Sequence, residues 1–379
     1  MPSKTSTQAT ITIIGAGVIG LAVAAQLAGK GRDVYVLEKN ETFGRETSSR
    51  NSETIHAGFY YPAGSLKATT CVEGNALLYE LCGKHEIGHR KTGKLVVATR
   101  DEDVGKLGSL LERGRTNGVK GLRMLSRREL RELEPNVEAV AAMLSPWSGT
   151  VDSHALMRFF AKSALDEGAQ IAYRSEVSAI ERLSNGYQVT VTEGERCFPF
   201  RTQILINCAG LSSDRMARLA GIDVDRAGYR LLYCKGEYFS VGNNKSSFLK
   251  RLVYPVPEPG SGGTGIHATL DIGGRLRLGP NARYVDEVDY TVDESQKGVF
   301  FDAVKPFLPF IEYGDLEPEM AGIRPKLQGQ GGDFRDFIIR HESDKGLPGF
   351  INLVGIESPG LTGAPAIARY VARMVNAIL

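Results

Sequence analysis

The chain has 379 residues, of which 42% are hydrophobic and 24% charged, and its formal net charge is +2. That length is too great for one simple core and suits two domains, while the near-balance of charge excludes a strongly basic binder of nucleic acid or membrane surface. Five cysteines (71, 82, 197, 208 and 234) without metal-ligand spacing read as free thiols in a reducing compartment.

In chain order, Ile11–Ile14 reads as a buried strand, and Gly15-Ala-Gly17-Val18-Ile19-Gly20 follows it. In this spacing Gly15 allows a tight turn, Gly17 lets the backbone approach a pyrophosphate, and Gly20 lets the next helix pack on the sheet. The N–H groups of Val18 and Ile19 open that helix, where its dipole favours an anion. Val34-Tyr-Val-Leu37 is a second strand, ending in Glu38 and Lys39. The Glu38 carboxylate suits both ribose hydroxyls and repels a 2′-phosphate, so FAD or NAD is favoured over NADP. Glycines alone also mark ordinary turns. The preceding strand, the following helix and the spaced acid together make a dinucleotide site, and hence an enzyme.

Lys4 and the apolar run from Ile11 to Ala28 imitate a signal peptide or a membrane span. The glycine spacing argues instead for a βαβ unit in a chain that keeps its N-terminus. No cleaved signal is expected, and the expected location is cytoplasmic, at most peripheral to a membrane. Thr47-Ser48-Ser49-Arg50-Asn51-Ser52 opens a loop and helix that can donate to a second phosphate or to ribityl hydroxyls; the competing reading is a solvated turn with an N-cap.

Lys94–Ala98 reads as a strand, Val104–Arg115 as a helix, and Glu129–Glu134 as a short helix stopped by Pro135. An amphipathic helix over His154–Gly168 leads into a strand at Gln170. Ile204–Asn207 is a buried strand ending in Cys208-Ala209-Gly210, small residues suited to a ligand at a parallel sheet. Strands are expected at Glu237–Val241, Leu252–Tyr254, Gly265–Thr269 and Arg275–Leu278, with a loop at Pro257–Gly265; this block reads as an antiparallel sheet. Phe350–Gly355 is one more buried strand. A turn and the helix Ala364–Ile378 then return the chain to the nucleotide domain. Trp147 reads as core between domains, and the charges from Arg127 to Glu134 as a solvated helix face.

Several segments together resemble the D-amino-acid-oxidase-like superfamily of FAD-dependent oxidoreductases over essentially the whole chain. They are Asn51–Ala68, Tyr254-Pro-Val-Pro257, Gly265-Ile-His267-Ala-Thr, Leu278-Gly-Pro-Asn281 and Ser358-Pro359-Gly360-Leu361-Thr362. Within it the chain looks most like L-2-hydroxyglutarate dehydrogenases and oxidases, chiefly through the His56 and His267 segments. The resemblance implies an α/β protein: a Rossmann-like, glutathione-reductase-type FAD domain plus a second α+β substrate domain with a mainly antiparallel sheet. The implied FAD-binding parts are 8–90, 146–225 and 321–379; the substrate-domain parts are 91–145 and 226–320. It also implies that the Val177 backbone meets adenine, and that Glu357–Thr362 turns its amides toward the flavin. By side chain alone Val177 is a core strand residue, and the turn a Gly/Pro loop. The flavin is expected to be non-covalent, since no cysteine lies beyond Cys234.

Oxidising a 2-hydroxy acid requires a base for the hydroxyl proton, and a neutral imidazole suits that task. His267 is the first candidate, and His56 is expected nearer the flavin; each has a bland reading as a satisfied buried histidine. Arg324 is expected to hold the substrate carboxylate with its planar fork. Tyr60, Tyr61 and Tyr254 could donate hydroxyls, and Lys67 and Lys326 could hold a distal carboxylate, although each lysine is individually better read as solvated. The alternatives are an amine or amino-acid oxidase of the same fold and a non-catalytic electron-transfer flavoprotein. No residue selects among oxygen, a quinone and a carrier protein as electron acceptor, and no nucleic-acid partner or metal is expected.

Overall fold

The computed structural model describes residues 8–29, 31–257 and 264–379. Lys4 and most of the Pro257–Gly265 loop lie outside the described residues. Five parallel strands form the centre of the first sheet, in the order Phe350–Val354, Arg196–Asn207, Gln8–Ile14, Val34–Leu37 and Gln170–Ala172. Strands covered on both faces need apolar residues at successive positions, and these have them. Ile11, Ile13, Val36 and Ile206 pack toward the helices, and Ile14, Leu37, Leu205 and Val354 toward the opposite core. The run that imitates a membrane span is therefore the strand Gln8–Ile14 followed by the helix Val18–Leu27. That helix is apolar on nearly every side because it is wedged between the sheet and the helices Ser153–Asp166 and Gly360–Ile378. No described helix is long and apolar enough to cross a membrane.

A second sheet of nine strands is mostly antiparallel; Leu252–Pro255 runs parallel to Lys94–Ala98. Side chains alternate across it. Leu95 and Val97 join a core with Phe239 and Phe300, whereas Val96 and Ala98 join Ala57 and Phe59 on the other face. Lys94 is in step with Val96, so it points toward the segment that carries His56.

Several local expectations fail. Thr47–Ser52 forms turns and no helix, because Asn51 spends its amide on the Thr47 and Ser48 carbonyls and accepts from the Glu53 N–H. The strand expected over Gly265–Thr269 is confined to Ala268–Leu270; Gly265 has φ +75°, so His267 precedes the strand. The last helix starts at Gly360 rather than Ala364, since the Gly363 N–H already bonds the Pro359 carbonyl. Trp147 is half-buried rather than core, with the Lys91 ammonium 2.9 Å from its ring centre. Glu134 is not part of a solvated face: it is buried and accepts from the Lys250 N–H and Arg251.

Candidate active site

The glycine turn is built as its spacing requires. Gly15 has φ +101°, and a Cβ there would meet the Cys208 carbonyl oxygen at 2.6 Å. A Cβ on Gly20 would collide with the Gly15 carbonyl. Glu38 caps this turn from the next strand: one carboxylate oxygen accepts from the Ala16 N–H at 2.7 Å, the other from the Asn40 N–H at 2.8 Å. The Val18 N–H donates to Ser48 Oγ at 3.0 Å. The N–H groups of Gly17 and Ile19 have no partner among the described residues. Unpaired donors at a helix N-terminus are what a phosphate needs.

A second helix N-terminus lies at Gly360. The N–H groups of Leu361 and Thr362 are also unpaired among the described residues. Thr362 Oγ1 accepts from the His56 N–H at 3.0 Å and donates to the Thr54 carbonyl at 3.3 Å, joining this helix to the His56 segment. One cavity of about 940 Å³ reaches from Glu38, Lys39 and Val177 past Ala209 and Gly210 to Ser358 and Leu361. His56, Tyr60, Tyr61, Tyr254, His267 and Arg324 line the same cavity. Of the candidate catalytic, substrate and cofactor residues read from the sequence, only Gly20 and Ser49 do not line it. Gly20 lies behind Gly15, and Ser49 Oγ donates to the Glu46 carbonyl instead.

The two histidines differ in their bonding. His267 Nδ1 is 2.8 Å from the Gly265 carbonyl, which fixes the proton on Nδ1 and leaves Nε2 as a buried acceptor with no partner among the described residues. Burial, opposed only in part by that bond and helped by Lys94 and Arg324, pulls its pKa down to about 3. His56 Nε2 lies 3.3 Å from Ser358 Oγ and its Nδ1 3.4 Å from Lys94 Nζ. Burial, then Lys94 and His267, hold His56 well below the usual histidine range. Both imidazoles are therefore neutral. Tyr254 stacks on His267 at 3.6 Å between centroids, with Lys94 Nζ 3.7 Å from the Tyr254 ring centre, and its hydroxyl is 3.0 Å from Thr54 Oγ1. The Tyr60 hydroxyl is buried without a partner among the described residues, whereas the Tyr61 hydroxyl approaches Ser358 Oγ at 3.5 Å.

Arg324 is more tightly held than a free substrate clamp. Its Nε bonds the Cys234 carbonyl, and its Nη2 bonds those of Lys235 and Asn281. Nη1 alone is unspent among the described residues. Lys67 and Lys326 are not solvated: both are buried, and both bond the buried Glu357 carboxylate, at 2.8 and 2.9 Å. Burial would raise the Glu357 pKa, but the two ammoniums outweigh it and hold the carboxyl below its ordinary value. The trio keeps one net positive charge at the cavity wall.

Two features escaped the sequence. Lys94 is fully buried behind His56, and its only signal is a lysine opening the apolar strand Leu-Val-Val-Ala. Lys106 and Arg113 line the cavity from the helix Val104–Thr116, which by sequence is merely amphipathic.

A cavity with a glycine turn at one end, unpaired N–H groups at two helix N-termini and neutral imidazoles beyond fits a dinucleotide carrying a redox ring. The family model for FAD dependent oxidoreductases matches residues 10–374. The chain belongs to that family. Among curated proteins it is similar to mitochondrial L-2-hydroxyglutarate dehydrogenase of Arabidopsis thaliana, 38% identical over 95% of this chain and 82% of that protein. It is also similar to L-2-hydroxyglutarate dehydrogenase of Indibacter alkaliphilus, 32% identical over 94% of this chain and 96% of that one. Among solved structures, dithionite-reduced L-alpha-glycerophosphate oxidase from Mycoplasma pneumoniae with FAD bound superposes with a TM-score of 0.87. It is 28% identical, over 97% of this chain and 95% of that one. The chain is thus an FAD-dependent oxidoreductase. Gly17 and Ile19 would hold its pyrophosphate, Glu38 its ribose, and Leu361 and Thr362 its flavin ring.

Proposed function

We propose that this enzyme oxidises L-2-hydroxyglutarate, an L-2-hydroxy acid, to the 2-oxo acid. The observation that carries this reading is the pair of neutral imidazoles on one cavity, beside the flavin-side helix. An alcohol needs a base where an amine needs little help, and the names of the relatives above point to the same acid. Bound FAD supplies the two-electron oxidant. His56 takes the hydroxyl proton, because Thr362 ties its segment to the flavin-side helix. The open Nε2 of His267 accepts from the same hydroxyl and aligns it. Arg324 Nη1 meets the carboxylate next to the reacting carbon. The net positive Lys67–Glu357–Lys326 trio attracts the distal one. Holding the substrate so converts binding into orientation, a large share of such rate enhancements.

Anaerobic mixing of the yellow protein with L-2-hydroxyglutarate, D-2-hydroxyglutarate, glycerol 3-phosphate and L-glutamate tests this. Flavin bleaching should be fastest with L-2-hydroxyglutarate. Faster bleaching by glutamate would hand the site to amine oxidation, faster bleaching by glycerol 3-phosphate would replace the acid, and no bleaching at all would leave a non-catalytic flavoprotein.

A further inference from the structure

Lys94 has no place in the reaction just described, yet its position is unusual. Its side chain is fully buried, and no carboxylate lies within salt-bridge reach of it among the described residues. The groups facing it are His56 from the segment after Thr54–Ile55, Tyr254 from the neighbouring strand, Tyr60, Cys71 from the helix Leu66–Lys84, and His267. None of these is an anion at neutral pH, since burial pushes the Cys71 thiol and the tyrosines upward. A buried ammonium without a counter-ion is costly. Burial accordingly draws the Lys94 pKa from 10.5 to about 7.

The geometry makes Lys94 the determinant of the His56 tautomer. As an ammonium, Nζ can only donate to Nδ1, so His56 carries its proton on Nε2 and presents a donor to the cavity. As an amine, Nζ accepts from Nδ1–H, and Nε2 presents a lone pair. Only the second state can take a proton from a hydroxyl. We propose that Lys94 is the positioning residue that turns His56 into a base, and that it stores the proton His56 passes on. This inference rests on the proposed 2-hydroxy-acid reaction.

In the step, the substrate O–H bond breaks and its proton goes to His56 Nε2. Nδ1 releases its own proton to Lys94 Nζ, and the carbonyl forms as the Cα hydrogen leaves with its electron pair, a hydride that bound FAD would accept. The imidazole ends neutral and Lys94 ends as the ammonium. Charge that would otherwise build on a buried imidazole moves to Lys94 Nζ, 3.4 Å from Nδ1.

The test has two arms on the FAD-loaded protein. In 15N-histidine spectra, with His56 assigned by loss of its signals in His56→Asn, Nδ1 should gain its proton as pH rises through about 7. In Lys94→Met that pH dependence should vanish. A His56 tautomer that is constant from pH 6 to 9 in the unaltered protein overturns the proposal, whatever the substrate proves to be. In the kinetic arm, Lys94→Met and Lys94→Arg should each lower kcat by ~10²-fold, the usual size of a lost acid–base contribution, with KM little changed and the rising limb near pH 7 removed. Arginine keeps the charge but cannot accept a proton. Rescue by Lys94→Arg would therefore show a fixed cation suffices and would also overturn the proposal.

Discussion

His267 and Arg324 differ in what each has left to give the substrate. His267 spends Nδ1 on the Gly265 carbonyl and keeps Nε2 open, whereas Arg324 has spent two of its three nitrogens on backbone carbonyls. If His267 only aligns the hydroxyl, His267→Ala forfeits one hydrogen bond, about 1 kcal/mol or several-fold in kcat. His56→Gln removes the base and should cost ~10²–10⁴-fold. Steady-state rates at saturating substrate decide it, and the reverse ranking would return the base to His267. Arg324→Lys should instead act mainly on KM, because a point charge cannot keep three carbonyls and meet a carboxylate with the same fork. At this scale local chemistry was readable: Gly15, Gly17 and Glu38 act within one βαβ unit, where spacing carries the information. Lys94 was not readable. Its role exists only because three segments distant in sequence meet, and a lysine at a strand start is ordinarily a solvated end.

The elements that were legible are long and apolar, such as Gln8–Ile14, Val18–Leu27 and Phe350–Val354, where periodicity and glycine punctuation agree. Those misread are short and set by partners. The strand at Ala268–Leu270 begins where Gly265 stops bending the chain, and the turns around Asn51 are held by one side-chain amide. The junction Gly355–Thr362 belongs to this scale as well. The sequence points only to the backbone of Glu357, as part of the turn facing the flavin; its carboxylate also ties the helix Leu66–Lys84 to the strand Leu316–Lys326 through Lys67 and Lys326. Removing the shared anion leaves two buried ammoniums facing each other. Glu357→Gln should therefore destabilise the fold by about 3–5 kcal/mol, the usual cost of breaking a buried pair from one side. Urea unfolding at constant m-value measures it. A loss below about 1 kcal/mol would mean that the trio is screened as a surface pair is.

For the whole molecule, the buried site makes stability depend on pH with a predictable sign. Lys94 has its folded pKa drawn down from 10.5 to about 7, so between those values the unfolded chain binds the extra proton and stability rises with pH. His267, drawn down from 6.5 to about 3, adds the same slope in acid, where stability falls as pH drops below 6.5. At roughly 1.4 kcal/mol per pH unit, the unaltered protein should gain ~2–3 kcal/mol between pH 7 and 9 relative to Lys94→Met. Parallel curves for the two proteins in FAD-saturating denaturation would refute the assignment. The order of strands carries another consequence. The early strand Gln8–Ile14 ends up beside Arg196–Asn207, which in turn pairs with Phe350–Val354, and the helix Gly360–Ile378 supplies the amides at Leu361 and Thr362. During translation, then, the glycine turn emerges long before Leu361 and Thr362 exist to face it. FAD cannot be gripped at both ends before the helix at Gly360 has been made, so full cofactor capture waits on that helix, and cellular FAD scarcity would be felt as a pool of protein not yet closed around its cofactor.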